Sequence, residues 1–250
     1  MAVTLDSLQE KRIGVAFSGG AVRGLAHIGV IKVLQETGIK PAVVTGTSVG
    51  SIIGAAVSAG MHWRELAGMA RSIFWPRLLH GRSLERFSRQ YLPATIEQLE
   101  TPFAAVATIV SSRQPLPISS GALPSAISAS CAVRLVRQPV LRDGVKLKDG
   151  GFACVLPTHV CRELGADFVI ASDVWEWSSL MRSVGCSPRR TPRAYPSHYR
   201  FALSHTDIHI HPEIPFSGYV PSPLAVDRMI AVGERATRRA LGTLFKEQAA

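Results

Sequence analysis

The pentapeptide Gly46-Thr47-Ser48-Val49-Gly50 fits the pattern G-x-S-x-G. A β-forming run precedes it and a helical pattern follows, so the sequence predicts a sharp strand-to-helix turn. The two flanking glycines fit a turn that leaves no room for side chains there. Such a turn lifts the serine hydroxyl above the sheet, beside a helix N-terminus that favours negative charge. The chemistry indicated is nucleophilic attack by Ser48, although the same residues also occur in ordinary Gly/Ser turns.

A second glycine-rich segment, Ser18-Gly19-Gly20-Ala21-Val22-Arg23-Gly24, also follows an apolar run and opens a helical pattern. Consecutive backbone N–H groups at such a turn point to one concave position that suits a phosphate group or an oxyanion. The spacing matches neither common nucleotide-binding pattern, and no acidic residue follows at the ribose distance of about twenty residues. We therefore interpret the segment as an oxyanion hole that serves Ser48, with nucleotide binding as the rival interpretation.

A third candidate is the segment Lys148-Asp149-Gly150-Gly151. A carboxylate at a strand end, followed by two glycines, can approach a serine closely and accept its proton. The alternative is a plain Asp-Gly turn, which is the commonest kind of Asp-Gly segment.

The elements around these three segments predict a mostly parallel α/β sheet with helices on both faces. Active sites of such sheets collect at the carboxyl ends of the strands, where both glycine-rich turns are expected. The expected strands are residues 13–17, 42–45, 102–110, 145–147, 167–172 and 207–210. The expected helices follow the first glycine-rich segment and span residues 51–59, 123–130, 157–164 and 223–241. Residues 178–204 are rich in Arg, Pro and Ser and predict a loop.

Taken in chain order, these motifs resemble those of the patatin-like phospholipase family, in particular its small bacterial type and the catalytic domain of neuropathy target esterase. The resemblance covers residues 12–173. It is carried by residues 18–30, 46–50, 129–131, 139–140, 149–151 and 164–167. It implies a three-layer α/β sandwich with a mostly parallel central sheet, in a single domain over residues 1–250.

The resemblance also implies a function: hydrolysis of a carboxylic ester in a lipid or lysophospholipid by a Ser–Asp dyad. Ser48 would form an acyl intermediate and Asp149 would act as the general base. The oxyanion hole would consist of the backbone N–H groups of Gly19, Gly20 and Ala21, and neither a metal nor an organic cofactor is expected. The residues expected to support these loops or the substrate are Arg23, Gly24, Gly46, Gly50 and Gly150.

Two departures from the family pattern bear on activity. Ala21 stands where the family has a third glycine, and its Cβ is expected to strain or narrow the oxyanion hole. Arg134 and Arg137 stand in a segment that is usually apolar, near the expected acyl channel. We interpret the two arginines as an indication that the protein prefers acidic or phosphate-bearing lipids as substrates. The same departures also suit a catalytically weak patatin-like protein that has a lipid-binding or regulatory role.

The net charge of +10 comes largely from arginines in residues 64–89 and 182–200. A basic surface attracts anionic lipid headgroups or nucleic acid by the same long-range field. No nucleic-acid-binding motif accompanies it, so no nucleic-acid partner is expected. Residues 61–100 are expected to form a basic helical cap whose Trp63 and Trp75 contact lipid. We expect a cytoplasmic protein at the inner face of an anionic membrane; a solvated arginine-rich surface is the alternative.

The histidines invite other interpretations. His209 and His211 alternate with isoleucines, so on a strand they share one face, and His205 is near them in the chain. Without a further ligand pattern we interpret them as part of a half-exposed strand and expect no metal site. His27 and His159 lie in predicted helices and are expected to pack in the core rather than complete a triad.

Three remaining features concern the class of protein. The four cysteines (Cys131, Cys154, Cys161 and Cys186) have no metal-ligand spacing and are expected to be reduced, buried thiols. Residues 41–63 are uncharged and long enough for a membrane span, but their Gly, Ser and Thr content favours a strand, a turn and a buried helix. Residues 1–12 have no apolar stretch typical of a secretory signal.

Overall fold

The computed structural model describes residues 8, 10–72, 82–133, 137–175, 196–214 and 223–246. The strands are β1 (Ile13–Phe17), β2 (Val43–Thr47), β3 (Phe103–Ile109), β4 (Pro115–Ile118), β5 (Val140–Arg142), β6 (Val145–Asp149), β7 (Phe168–Ser172) and β8 (Ile208–Ile210). The helices are α1 (Leu25–Glu36), α2 (Val49–Ser58), α3 (Trp63–Ser72), α4 (Ser83–Tyr91), α5 (Leu123–Ser130), α6 (Thr158–Glu163), α7 (Ser197–Ser204) and α8 (Pro223–Lys246). Short 3₁₀ turns lie at Ala21–Gly24, Ile96–Gln98 and Gly150–Phe152.

The strands form one mixed sheet that is mostly parallel. β3, β2, β1, β7 and β8 pair in parallel in that order, and β4, β5 and β6 pair antiparallel. The alternation of strand and helix in the first part of the chain places α1 and α2 after parallel strands, as the sequence predicts. The α/β fold with a mostly parallel sheet is confirmed.

Two hydrophobic clusters cover the two faces of the sheet. Side chains along β1 alternate between them, with Val15 and Phe17 in the larger cluster and Ala16 in the smaller one. The larger cluster includes α1, α2 and α8, and the smaller one includes α6 and α7. The glycines at the crossing of α1 and α8 permit backbone contact, because a Cβ at Gly29 would lie 2.0 Å from the carbonyl oxygen of Ile230.

Strand β3 carries different neighbours along its two edges. Val106 pairs with both β2 and β4, and Ala107 pairs with both β4 and β6. A strand has only two edges, so β4 occupies one edge while β2 and β6 follow each other along the other. The carboxyl ends of β2 and β6 therefore meet head to head, with Thr47 opposite Val106 and Asp149 opposite Ala107.

Residues 61–100 contain α3 and α4, which pack their apolar sides on the body of the protein. Leu66 and Ala70 of α3 and Phe87 of α4 border an apolar gap together with Ile52 of α2. The ring of Trp63 packs beneath Lys32 and Arg64, toward the C-terminal end of α1 and away from the glycine-rich segment. This contact does not support the expected lipid contact of Trp63, and Trp75 lies outside the described residues.

Two sequence expectations differ from the fold. The short antiparallel strands β4 and β5 are absent from the expected strands, because their few residues carry little periodic signal. The predicted loop at 178–204 ends in helix α7, whose Tyr199 and Ala202 are buried in the smaller core cluster. Residues 178–195 lie outside the described residues. Among the described helices, none is long and apolar enough to cross a membrane.

Candidate active site

Ser48 occupies a strained turn between β2 and α2. Its backbone has φ 54° and ψ −126°, a conformation that L-residues rarely adopt. A Cβ at Gly46 would lie 2.2 Å from the carbonyl oxygen of Gly50, and a Cβ at Gly50 would lie 2.3 Å from that of Phe17. Both positions therefore require glycine, and their backbone contacts hold the serine in its turn.

Ser130, at the end of α5, fixes the backbone of Ser48. The N–H of Ser48 donates to Ser130 Oγ at 2.9 Å, and that hydroxyl donates to the carbonyl of Val106 at 2.6 Å. On the other side, Ser51 Oγ donates to the carbonyl of Ser48 at 2.7 Å. Ser130 belongs to the segment 129–131 that resembles the family, but its role depends on a strand that lies 24 residues away in the chain.

Asp149 ends β6 where that strand meets β2. Thr108 Oγ1 donates to its carbonyl oxygen at 2.8 Å, and its Oδ1 accepts the N–H of Gly151 at 2.8 Å. A Cβ at Gly150 would lie 2.1 Å from the carbonyl oxygen of Val106 and 2.9 Å from Thr47 Cγ2. The glycine after the aspartate therefore permits the close approach of the two strand ends, which brings Asp149 to Ser48.

The carboxyl group of Asp149 is 6% exposed. Burial raises its pKa from 3.8 to about 6, against the hydroxyl of Ser48 and the N–H of Gly151, which both lower it. Its Oδ2 is buried and accepts no hydrogen bond of ordinary geometry from the described residues. A carboxylate with few donors and a pKa near neutrality suits a general base, because it is ionised at pH 7 and still gains from binding a proton.

The glycine-rich segment lies against the Ser48 turn. A Cβ at Gly19 would lie 3.4 Å from Ser48 Cβ, and one at Gly24 would lie 2.4 Å from Val49 Cγ2. Arg23 Nε donates to the carbonyl of Gly20 at 3.0 Å, which supports its expected role in holding this loop.

The three expected oxyanion donors differ in their hydrogen bonds. The N–H of Gly19 donates to the carbonyl of Val155 at 2.9 Å, whereas those of Gly20 and Ala21 have no acceptor in the part of the chain that the structure describes. Ala21 has φ 51°, a left-handed conformation in which its Cβ costs energy relative to glycine. Gly20 and Ala21 are therefore the donors with free hydrogen-bonding capacity.

The described histidines make no hydrogen bond with Ser48 or Asp149. His27 is fully buried, and its ring nitrogens contact Ser172 Oγ at 2.7 Å and the carbonyl of Ser18 at 3.0 Å. Burial lowers its pKa to about 4, so the ring is neutral. His159 lies beside Phe201 of α7, on the other face of the sheet. Both histidines pack as the sequence predicts.

Two further side chains lie near Ser48 and Asp149. Burial, with the negative charge of Asp149, raises the pKa of Cys131 to about 12, so this residue remains a thiol. Arg137 Nη2 donates to Ser128 Oγ at 2.7 Å, while its Nη1 is buried and has no acceptor among the described residues. Arg134 lies outside those residues, as does Cys186. The other three cysteines are buried and free.

Comparison with known proteins gives consistent matches. Residues 15–69 match the family described as "Patatin-like phospholipase". An uncharacterized NTE family protein of Mycobacterium tuberculosis H37Rv is 34% identical over 183 residues, which cover 68% of this chain and 51% of that protein. "Lysophospholipase nte1" of Aspergillus fumigatus is 30% identical, covering 66% of this chain and 12% of its own length. "Patatin-like phospholipase domain-containing protein 6" of Homo sapiens is 33% identical, with 65% and 13% covered.

The coverage limits what these matches describe. The chain spans about half the length of the mycobacterial relatives that it matches. Two solved structures share the fold at low identity. VipD from Legionella pneumophila has a TM-score of 0.57 at 12% identity, covering 94% of this chain and 67% of that one. The type III effector ExoU has a TM-score of 0.55 at 13% identity, covering 96% and 54%.

Proposed function

Because the chain belongs to the patatin-like phospholipase family and is related to its NTE group, we propose that it is a serine lipid acyl hydrolase. Its substrates would be carboxylic esters of phospholipids or lysophospholipids. The observation that carries the proposal is the meeting of β2 and β6 on one edge of β3, which brings Ser48 and Asp149 together. Residues 1–250 would act as one domain.

In the first half-reaction, Ser48 Oγ attacks the ester carbonyl while Asp149 Oδ2 accepts the hydroxyl proton. The carbonyl oxygen becomes an oxyanion, which the N–H groups of Gly20 and Ala21 stabilise; Gly19 contributes by holding the loop against the serine. The tetrahedral intermediate then breaks the ester bond, and the leaving alkoxide takes the proton from Asp149. The acyl group remains on Ser48.

In the second half-reaction, water replaces the alcohol. Asp149 accepts a proton as the water oxygen attacks the acyl carbon, and the same donors stabilise the second oxyanion. Collapse of this intermediate releases the fatty acid, and Ser48 Oγ recovers its proton from Asp149. Neither step requires a metal or an organic cofactor.

The basic residues suggest which lipids reach the site. The guanidinium of Arg137 lies close enough to Cys131 to affect the pKa of its thiol, and its Nη1 has no hydrogen-bond acceptor among the described residues, so we extend the proposal to lipids with an acidic or phosphate-bearing headgroup. Arg86 and Arg89 of α4, and Arg82 just before it, are exposed and form no ion pair with a described residue. These arginines support a peripheral contact of the cap with an anionic membrane at its cytoplasmic side.

The membrane contact has its own test. Vesicles of phosphatidylglycerol and phosphatidylcholine should co-sediment the protein more than pure phosphatidylcholine vesicles do, and added salt should weaken this preference. Replacement of Arg82, Arg86 and Arg89 by Gln should reduce it. Equal binding to both vesicles at low salt would contradict the contact and leave the hydrolase proposal intact.

The hydrolase proposal is tested by labelling with a fluorophosphonate probe and by a panel of p-nitrophenyl esters. Labelling should map to Ser48 and should disappear in Ser48→Ala and Asp149→Asn. Ser72→Ala and Asp143→Asn are matched controls, because both side chains are exposed and lie outside the dyad. Equal ester hydrolysis by wild type and Ser48→Ala would contradict the proposal. Labelling that survives in Asp149→Asn would contradict the dyad.

A second candidate function, a catalytically weak lipid-binding or regulatory protein, is favoured by one observation. Ala21 holds a left-handed conformation in the oxyanion loop, where its Cβ costs about 1 kcal/mol relative to glycine. Ala21→Gly should raise ester hydrolysis several-fold if this Cβ limits catalysis. A wild type with no hydrolysis above Ser48→Ala, combined with saturable lipid binding, would favour the second function.

A further inference from the structure

A cluster of three side chains lies at the same edge of the sheet as the candidate active site, beyond β1. Asp173 directly follows β7, and its N–H donates to the carbonyl of Ile210 at 2.9 Å, which aligns it with β8. His209 lies in β8 and His211 directly follows it, and their alternation places both side chains on one face. Their facing nitrogens, His209 Nε2 and His211 Nδ1, lie 2.9 Å and 3.4 Å from the same oxygen, Asp173 Oδ2.

The carboxylate of Asp173 is buried and held in place from both sides. The N–H of Trp175 donates to Oδ1 at 2.9 Å, and the hydroxyl of Tyr199 on α7 donates to Oδ2. The hydroxyl of Tyr199 and Nε2 of His209 therefore hydrogen-bond to Oδ2, whereas His211 Nδ1 stands 3.4 Å from it, beyond good hydrogen-bond geometry. A cation between the two imidazoles and the carboxylate would take all three as ligands.

A cavity gives an ion access to the cluster. It has a volume of about 310 Å³ and is bordered by His209, His211 and Glu213 on one side and by Arg235 and Arg239 of α8 on the other. The side chains of His209 and His211 are 34% and 17% exposed, so both reach the cavity from a carboxylate that is itself fully buried. The negative charges of Asp173 and Glu213 would balance the charge of a divalent ion. The positive charges of the two arginines would favour a negatively charged fourth ligand.

We propose that Asp173, His209 and His211 bind a divalent transition-metal ion, with Zn²⁺ as the preferred ion. Their candidate ligand atoms all lie within 4.8 Å of one another. Two imidazoles and one carboxylate form a common three-ligand set for zinc, with the fourth position left for water or another ligand. Tyr199 and Trp175 supply the outer hydrogen bonds that orient the carboxylate. This ion takes no part in the chemistry at Ser48.

The site is nevertheless connected to the glycine-rich segment. Ser172, which precedes Asp173, contacts His27, and the N–H of Val174 donates to Ser18 Oγ at 2.8 Å. An ion at Asp173 would thus fix the strand end on which the first residue of that segment rests.

The test is metal binding by the untagged full chain after removal of metal with EDTA, measured by calorimetry with ZnCl₂ and by visible absorption with CoCl₂. We expect one ion per chain, and a Co²⁺ spectrum of imidazole and carboxylate ligation. His209→Ala and His211→Ala should each weaken Zn²⁺ binding by more than the 10- to 100-fold typical of outer-shell changes. His205→Ala, which removes a partly exposed histidine outside the cluster, should bind as the wild type does.

Ser48→Ala separates this inference from the proposed hydrolase, because it should bind Zn²⁺ normally while losing ester hydrolysis. Far-UV circular dichroism confirms folding of each variant, and His209→Ala is the most tolerant because its side chain is partly exposed. No stoichiometric binding by the wild type would overturn the inference and would leave the cluster as His–Asp ion pairs. Equal affinity in wild type and His209→Ala, or equal loss in His205→Ala, would overturn it as well.

Discussion

Two buried aspartates lie at the same edge of the sheet, and their surroundings shift the pKa of their carboxyl groups in opposite directions. Burial raises the pKa of Asp149 to about 6, and only the Ser48 hydroxyl and the Gly151 N–H act against it. Burial also acts to raise the pKa of Asp173, but hydrogen bonds from His209 and His211 and their charge outweigh it and hold the pKa well below its usual range. The difference lies in the number and charge of the donors, not in the depth of burial.

This difference in hydrogen-bond donors distinguishes a carboxylate that suits proton uptake, that of Asp149, from one that suits a structural role, that of Asp173. Asp149 keeps a buried oxygen with no described hydrogen-bond donor of ordinary geometry, so proton uptake relieves an unfavourable charge. Asp173 receives donors on both oxygens, so proton uptake would break favourable contacts. A buried aspartate with few donors is therefore the better candidate for a base.

The largest expected effect is on catalysis. Asp149→Asn should lower kcat/KM for an activated ester by about 10³- to 10⁴-fold, the range typical for loss of a member of a catalytic set. Asp173→Asn, provided that it folds, should lower kcat/KM far less, because its carboxylate does not contact the nucleophile. Steady-state kinetics of both variants measure the contrast, and similar losses in the two would contradict the assignment of Asp149 as the base.

The next largest effect is on stability, where the same two variants should move in opposite directions. Asp173→Asn removes the buried carboxylate that His209, His211 and Tyr199 contact, and it should lower the free energy of unfolding by about 1–3 kcal/mol at pH 7. Asp149→Asn should raise it at pH 8 by up to about 3 kcal/mol, because a folded pKa above the unfolded one makes ionisation unfavourable in the native state.

The change in the free energy of unfolding with pH follows from the same two pKa shifts. The contribution of Asp149 falls as pH rises from about 4 to about 6, whereas that of Asp173 is present above its unfolded pKa and is lost as pH falls below it. Urea unfolding at pH 5 and pH 8 measures the change for Asp149, and unfolding at pH 3 and pH 5 measures the change for Asp173, with Asp143→Asn as an exposed control. A destabilised Asp149→Asn at pH 8 would show that its carboxylate is structural, like that of Asp173.

The third prediction concerns Ser130, which holds the nucleophile in its turn. Ser130→Ala leaves the partly buried N–H of Ser48 without its acceptor. It should lower the free energy of unfolding by about 1–3 kcal/mol and lower kcat/KM by about tenfold or more. Ser58→Ala is the matched control, because the Ser58 hydroxyl is buried without a hydrogen-bond partner among the described residues. Equal effects of the two substitutions on hydrolysis would contradict a positioning role for Ser130.

The smallest expected effect is the pH dependence of the wild type. In the proposed mechanism only the ionised form of Asp149 is active, so kcat/KM should rise with pH, level off above about 6, and fall about tenfold for each unit below it. His27 should not add a second inflection, since its pKa is lowered to about 4 and both of its ring nitrogens are engaged. A single inflection near 4 would indicate that burial does not raise the pKa of Asp149.

The sequence was sufficient for the parts that depend on local constraints. Gly46, Gly50 and Gly150 mark turns where the backbone itself leaves no room for a Cβ, and such constraints are visible as residue types at fixed spacing. The regular strands and helices of the parallel sheet were predicted for the same reason, because their apolar periodicity is local. The short strands β4 and β5 and helix α7 were missed, since tertiary contacts determine them.

Only the tertiary structure decided which side chains meet across long stretches of chain. Ser130 reaches Ser48 because α5 packs against β3, and Asp173 reaches His209 and His211 because β7 pairs with β8. The sequence alone therefore indicated Ser48 and Asp149 as a candidate pair, but it did not connect the two histidines with Asp173. The acidity of the two aspartates is the clearest case. Asp149 and Asp173 are the same residue type, and their surroundings set the free energy with which each carboxylate binds a proton.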